Sequence, residues 1–410
     1  MRVELPPTAG VPLRRSDLVP RGESDLATAA AAWLGTDADA ALLTGSGTAA
    51  LVVALEALKT LSPQRRTVAL PAYTCPLVPL AVVRAGLVPV PVDLAPDHFD
   101  LDPVALATAV DADTLAVLPT HLAGQVADVD AARAVAARHG AFVIEDAAQA
   151  FGAARAHEPV GLAGDIGLFS FGVGKGLTIY EGGLLVARDS ALRAALRETA
   201  ARLLRAHPLR ETKACIELLG YAALYRPSLL GLVYGRPLRR ALARHDVIAA
   251  CRDDVGTGIP LHRPGRWRAR VGVRALARLH AVHATDSERA VRRVAALAAL
   301  PGVRVCRGVP DSIPVWPYLL LQLPDETCRD AALAHLWPSG LGVGRLFAHA
   351  LPDYPFLHGV VPAATVPHAR DFATRTLTIG NSAWLDDARF ARIVDVLQQS
   401  LRTRAAVGMG

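Results

Sequence analysis

The chain is poor in the features that mark several common classes of protein. Aromatic residues are 5% of its 410 positions and no run of five basic residues occurs. Nucleic acid is therefore the weakest partner for its formal charge of +6, which comes largely from arginine. Its cysteines, Cys75, Cys215, Cys251, Cys306 and Cys328, are odd in number and show no C-x-x-C spacing. They give neither a disulfide framework nor a metal site, and fit a reducing compartment. Behind Met1-Arg2-Val3-Glu4-Leu5-Pro6-Pro7 there is no apolar run of signal-peptide type. The apolar stretch from Ala214 to Gly235 is interrupted by Glu217, Arg226 and Pro227, so it reads as a buried or interfacial helix pair and not as a membrane span. Peripheral membrane contact there is the lesser alternative, and a cytoplasmic protein is expected. Charged residues at 20% against 52% hydrophobic exclude disorder and imply a large packed core.

What is present is an alternation. From Asp25 to about Asp189, short apolar runs (Ala41–Leu43, Thr67–Leu70, Val88–Val92, Leu115–Leu118, Ala141–Ile144, Ile166–Phe171, Gly183–Ala187) alternate with stretches of helical spacing such as Thr48–Lys59, Pro76–Arg84 and Asp128–Arg138. This order predicts an α/β fold with a mostly parallel central sheet flanked by helices. Beyond Arg188 come a long helix to about Arg205, the apolar stretch, and a loop rich in Arg, Gly and Pro at Asp253–Arg270. A helix near Val271–Ala299, strands near Val303–Val305 and Val315–Gln322, and a last helix at Asp386–Arg402 complete the chain. We expect an N-terminal arm over 1–25, a large domain over 26–245 that includes the apolar stretch, and a smaller C-terminal α/β domain over 246–410, the boundary falling between 235 and 260.

Three segments at strand ends carry chemistry. Thr44-Gly45-Ser46-Gly47-Thr48-Ala49-Ala50 joins a strand to a helix whose free N–H groups suit a phosphate. It also fits a degenerate dinucleotide pattern. The second strand runs into Pro71-Ala72-Tyr73 and not into an acidic residue, which disfavours NAD. Phe142-Val143-Ile144 runs into Glu145-Asp146, and Ser170-Phe171-Gly172-Val173-Gly174-Lys175-Gly176 follows another strand. A Walker loop fails at Lys175, because Phe169 and Gly176 stand where glycine and Ser or Thr are required. A lysine and an acid at neighbouring strand ends are what pyridoxal phosphate needs: an amine for a Schiff base and a carboxylate to hold its ring nitrogen protonated. Taken singly, Lys175 could be a solvated lysine, Asp146 a loop cap, Ser170 a sheet-edge hydroxyl and the Ser46 turn a tight strand–helix turn with Thr48 as its cap. The ordered set is the signal.

That set, with Ser46–Leu51, Glu145–Ala150, Gly164-Asp165-Ile166-Gly167, Phe169-Ser170-Phe171, Lys175 and Glu181-Gly182-Gly183, resembles the DegT/StrS family of pyridoxal-phosphate aminotransferases of fold type I, many acting on nucleotide-linked keto sugars. The likeness is dense from about Leu34 to Arg188 and fainter afterwards. It implies that Lys175 forms the Schiff base and shuttles the substrate's proton, that Asp146 pairs with the ring nitrogen, and that Gln149 contacts the ring hydroxyl. Gly47, Thr48 and Ser170 would hold the phosphate. It also implies an amino-acid donor, most often L-glutamate, a keto-sugar acceptor and a homodimer. Relatives with histidine in place of the lysine are dehydratases, so Lys175 points to transamination.

The sequence departs from the family pattern in three places. Cys75 stands where an aromatic usually covers the cofactor ring, with Tyr73 as a candidate substitute. No Asn-Tyr-Arg segment occurs, Leu224-Tyr225-Arg226 being a faint echo, and the family's His-rich segment is not recognisable around Phe347–His358. Arg263, Arg266, Arg268 and Arg270 read first as a solvated loop and second as arms for an acceptor's diphosphate. The competing functions are another fold-type I reaction, such as a lyase or aldolase, a cofactor-binding but non-catalytic partner in polysaccharide assembly, and an NAD dehydrogenase.

Overall fold

Apolar runs of four or five residues, closed by Gly, Pro or Asp, are too short for helices and pair as strands. The computed structural model describes residues 3–19, 22, 25–254, 256 and 258–407. Of the expected arm, residues 1–2, 20–21 and 23–24 lie outside that set, as do 255 and 257 of the Asp253–Arg270 loop. The strands are β1 (Ala41–Thr44), β2 (Thr67–Pro71), β3 (Val88–Val92), β4 (Thr114–Val117), β5 (Phe142–Asp146), β6 (Ala154–Arg155), β7 (Glu158–Pro159), β8 (Ile166–Ser170), β9 (Gly183–Val186), β10 (Arg304–Val305), β11 (Ser312–Ile313), β12 (Tyr318–Gln322), β13 (Val343–Gly344) and β14 (Thr376–Gly380).

Seven of them form one sheet in the order β1-β9-β8-β5-β4-β2-β3. The pairs from β3 through β8 are parallel, and β9 runs antiparallel to both its neighbours. Every residue of β4 and β9 is buried, as expected where helices cover both faces of a parallel sheet. The helix Gly47–Leu61 fills one face, with the run Ala49–Leu55 buried throughout. Parallel strands all deliver their carboxyl ends to one edge, where ligands collect. The turn after β1, Asp146 at the end of β5 and the loop after β8 meet there.

A second, antiparallel sheet, β10-β12-β14-β13, packs with the helices Glu326–Leu336 and Asp387–Val407 around its own core. A small sheet, β11-β6-β7, ties the C-terminal half back to the first. The core that holds β8, β9 and the helix Leu26–Trp33 also takes in Ala269, Ala275, Leu276 and Leu279, beyond the expected 235–260 boundary. We therefore propose that the division between domains lies inside the helix Leu279–Ala298. That helix was expected as one unit over Val271–Ala299. It is two, Arg266–Leu276 and Leu279–Ala298, with the break fixed where the Arg278 guanidinium is held by Asp17 at 2.7 Å and by the Pro12 carbonyl at 2.8 Å.

The apolar stretch forms the helix Pro208–Leu224, a break at Pro227, a π-helical turn Gly231–Gly235 and the helix Arg236–Ala243. Only Ala214 and Leu218 of the first helix are buried. Among the described residues no helix is long and apolar enough to cross a membrane. The arm threads between the two sheets: Leu5 N–H donates to Gly340 O at 2.8 Å, Ala9 N–H to Pro317 O at 2.6 Å and Val11 N–H to Gly176 O at 2.8 Å.

Candidate active site

Lys175 hangs from the loop that leaves β8. Phe169 and Phe171, both fully buried, anchor that loop, and the Phe171 N–H donates to Gly182 O at 2.8 Å. Burial lowers the Lys175 pKa, while the charges of Cys75 and Asp146 pull it back up. A larger share of neutral amine follows, which a nucleophilic lysine needs. The other lysines are engaged elsewhere, Lys59 on the Ala85 carbonyl at 2.6 Å and Lys213 beside Glu217 at 3.7 Å.

Asp146 closes β5. Its N–H donates to Pro119 O at 2.9 Å, and its Oδ1 accepts the Ala148 N–H at 3.1 Å. No other hydrogen-bond donor among the described residues reaches the carboxylate, and burial raises its pKa. A buried acid short of a cation is suited to a protonated ring nitrogen, whose charge would restore the carboxylate form.

Between Lys175 and Asp146 lies a cavity of about 240 Å³ that also takes in Gly47, Thr48, Gln149 and Ser170. At one end the helix Gly47–Leu61 begins. Ser46 Oγ accepts the Ala49 N–H at 3.0 Å, so the earlier N–H groups of that turn are left for an anion. Two glycines keep this cup open. A Cβ on Gly47 would stand 3.0 Å from Ser170 Cβ, and one on Gly183 would stand 2.3 Å from the Ser46 carbonyl oxygen. Ser170 Oγ itself accepts the Gly172 N–H at 3.3 Å. Gln149 Oε1 is held by the Ala123 N–H at 2.8 Å and by the Tyr318 hydroxyl, which leaves its amide NH₂ for a ring oxygen.

The aromatic cover expected of Tyr73 is not there. Tyr73 is 1% exposed, stacks edge-on against Phe347 and Phe372, and lines neither this cavity nor the larger one above it. Cys75 does line both, its thiol pushed up to about 11 by burial. Within the arginine group, Arg263 and Arg266 are exposed, as expected of solvated residues, and Arg268 departs from that reading. Arg268 is fully buried and grips Glu211 through Nε at 2.8 Å and Nη2 at 2.6 Å. None of Arg263, Arg266, Arg268 and Arg270 lines these two cavities. A buried guanidinium committed to the half-buried Glu211 carboxylate is neither a solvated loop residue nor a free diphosphate arm.

Two further features were not foreseen. His121 follows β4, lines the cavity and bonds Glu145 Oε2 at 3.0 Å through Nε2. Its Nδ1 accepts the Ala127 N–H at 3.0 Å. Burial alone would raise Glu145, but the bond and charge of His121, with N–H groups from Gly164 and Gly161, hold it below the usual carboxylate range. A histidine just past a strand end in a parallel sheet was the available signal. Above the first cavity lies a second of about 750 Å³, and Cys75, Gln149, Lys175 and Tyr180 belong to both. Its walls include Glu217, Tyr221 and Tyr234 from the apolar stretch, facing Tyr318 and Arg345 from the C-terminal half. The apolar stretch is the cover of the site.

A cup for an anion, an acid for a ring nitrogen, an amide for a ring oxygen and a buried lysine fit pyridoxal phosphate. When bound, that cofactor supplies an electron sink for the carbanion formed at the substrate carbon. Comparison with known proteins agrees. The solved structure of DesV from S. venezuelae superposes with a TM-score of 0.68 at 28% identity, covering 91% of this chain and 87% of that one. The aminotransferase PseC of Helicobacter pylori shares the fold at a TM-score of 0.76 and 15% identity, over 98% and 100% of the two chains. In sequence, the dTDP-3-amino-3,4,6-trideoxy-alpha-D-glucose transaminase of Streptomyces venezuelae is 30% identical over 88% of this chain and 83% of its own. The L-glutamine:2-deoxy-scyllo-inosose aminotransferase of Micromonospora echinospora is 42% identical over 36% of this chain and 35% of its own. A family model matches residues 20–224, and with the lysine, acid and phosphate cup in place, the chain belongs to the DegT/DnrJ/EryC1/StrS aminotransferase family.

Proposed function

We propose that this pyridoxal-phosphate aminotransferase moves the amino group of L-glutamate to the keto group of a nucleotide-linked sugar. The observation that carries the choice of acceptor is the 750 Å³ cavity opening directly onto Lys175, far larger than an amino acid needs. Its rim offers Arg252 and Arg345 to anionic groups and Glu217 and tyrosine hydroxyls to sugar hydroxyls. The sugar aminotransferases among the relatives support the same acceptor class. Within it, Lys175 Nζ takes the proton from the donor carbon and returns one to the acceptor carbon, a role favoured by its lowered pKa. Asp146 keeps the ring nitrogen protonated, and the Ser46–Thr48 turn with Ser170 positions the phosphate. We read Lys175, Asp146, Gly47, Thr48, Gln149, Ser170 and Cys75 as the working site and leave Tyr73 out of it. We also propose a cytoplasmic homodimer. The exposed apolar residues Leu209, Ile216 and Leu219 on the cover helix support a second copy packing against it.

The test is the near-visible absorbance of the purified protein with cofactor, before and after each of three amines: L-glutamate, L-glutamine and dTDP-3-amino-3,4,6-trideoxy-α-D-glucose. Loss of a Lys175-dependent band, with 2-oxoglutarate released from glutamate and a keto sugar from the third amine, is expected. A band that ignores all three overturns the proposal. A response to glutamine alone moves the donor, in line with the L-glutamine relative.

A further inference from the structure

Eight non-glycine residues among those described hold a positive φ: Asp97, Ala123, Ala156, His157, Tyr180, His245, Arg252 and Asp311. Three of the eight attend the site. Ala123 donates its N–H to Gln149, and Tyr180 and Arg252 both line the large cavity. Tyr180 has the largest φ of the eight, 74°, where a bulky side chain crowds its own backbone. Such a conformation persists only where the surroundings impose it, most often at functional sites.

The surroundings of Tyr180 are unusual too. Of the four residues shared by the two cavities, Gln149 and Lys175 serve the cofactor and Cys75 is small, so Tyr180 is the one aromatic at the passage between them. Its neighbour Glu181 is held from outside the cavity by Arg210 at 3.1 Å, and its own N–H donates to Thr178 Oγ1 at 3.0 Å. The loop is thus clamped on both sides of the strained residue. Glu217, from the second turn before the end of the cover helix, lines the large cavity together with Tyr180 and does not line the smaller one.

We propose that Tyr180, backed by Glu217, is the acceptor-orienting residue of this enzyme: its hydroxyl and the Glu217 carboxylate receive a ring hydroxyl beside the reacting carbonyl and set that carbon over Lys175 Nζ. The pairing suits a ring that carries a hydroxyl next to the reacting carbon, since a phenol donates while a carboxylate accepts from the same hydroxyl. The donor amino acid has no ring hydroxyl to offer and does not use the pair. Tyr180 is a positioning residue, and its strain is kept because a relaxed backbone would swing the ring out of the passage. This inference rests on the sugar acceptor proposed above.

The experiment compares wild type with Tyr180→Phe, Tyr180→Gly and Glu217→Gln in single-turnover absorbance with L-glutamate and, separately, with dTDP-3-amino-3,4,6-trideoxy-α-D-glucose. The expected result is a loss of about tenfold or more in the amino-sugar reaction for each variant, with the glutamate reaction within about threefold of wild type. Melting of the same proteins without cofactor adds a readout independent of turnover. Tyr180→Gly is expected to melt at or above the wild-type temperature, because glycine adopts this φ freely. A drop of several degrees would mean that the ring is there for packing, and would overturn the proposal. Equal losses in both half-reactions, or none in the amino-sugar reaction, would also overturn it. A wild type that converts glutamate and ignores the amino sugar defeats the acceptor assignment itself, a result distinct from the variant pattern.

Discussion

Replacing Arg268 with methionine tests whether the site is held from beneath. The guanidinium, fully buried, bonds both oxygens of Glu211 on the cover helix and the carbonyls of Ile179 and Glu181 at the end of the lysine loop. Removing one partner of a buried ion pair costs about 3–5 kcal/mol, and the two orphaned carbonyls add to the loss. The Glu211 side chain keeps 20% exposure, so water recovers part of this and about 3 kcal/mol is expected. That is on the order of a hundredfold in the ratio of folded to unfolded protein. Urea unfolding of the protein without cofactor measures it, and Glu211→Leu alone and with Arg268→Met completes a double-mutant cycle. The double variant should be more stable than the sum of the single losses predicts by at least about 1 kcal/mol. Glu211 also carries a pH signature. Burial works to raise its pKa, but Arg268 holds it below its ordinary value. Its share of stability is full above the unfolded carboxyl pKa and is lost as pH falls through the lower folded value. Arg268→Met should flatten that acid limb. Additive single effects, or a loss under about 1 kcal/mol for Arg268→Met, would refute the reasoning.

Other consequences are as direct. Gly183→Ala puts a Cβ 2.3 Å from Ser46 O and 2.7 Å from Gly47 N, so the phosphate turn must shift. Cofactor affinity by equilibrium dialysis should fall about tenfold or more, an overpacking cost of about 1–3 kcal/mol, and unchanged affinity would contradict the cup. Asp146→Asn should still bind cofactor through Lys175 yet slow the glutamate half-reaction by about a hundredfold or more, read by stopped-flow absorbance. His283, whose ring lies against Gly152 and 3.6 Å from a Cβ placed on Gly176, has its pKa pushed down to about 4 by burial and by neighbouring His280. Its contribution is complete above the ordinary value of 6.5 and is lost as pH falls toward 4, at most about 3 kcal/mol. His283→Phe should reduce the drop in urea midpoint between pH 7 and pH 5.

Much of the fold was legible because its signals are local. The strands after Leu34 are short apolar runs, the helix begins at Gly47 within one residue of the expected Thr48 although its cap is Ser46 and not Thr48, and the lysine and acid stand at strand ends where a parallel sheet gathers them. What could not be read depends on pairs far apart in the chain. Arg268 looks like a loop arginine until Glu211, on another helix, is placed against it. Tyr73 follows a strand, the place expected of a ring-covering residue, but Phe347 and Phe372 draw it into the core. The role of the 214–235 stretch as a cover was equally hidden. Its apolar composition is the same whether it faces lipid, a neighbouring subunit or a cavity, and only the position of Tyr221 and Tyr234 opposite Tyr318 decides.

The arm bears on the order in which a nascent chain can become an enzyme. Pro6 and Pro7 lie against Gly342 and Gly380, where a Cβ on Gly380 would come within 2.6 Å of the Pro6 carbonyl. Leu5, Ala9 and Val11 bond to residues 340, 317 and 176 in turn. Pro6 and Pro7 therefore cannot settle against Gly380 until β14 has been made. Gly10 packs on the Lys175 carbonyl, so the same arm also supports the lysine loop. Contacts spanning so much of the chain make for slow maturation. A truncated product ending before residue 376 would carry every residue of the cofactor site and the arm itself, yet lack the β14 surface on which Pro6 and Pro7 pack.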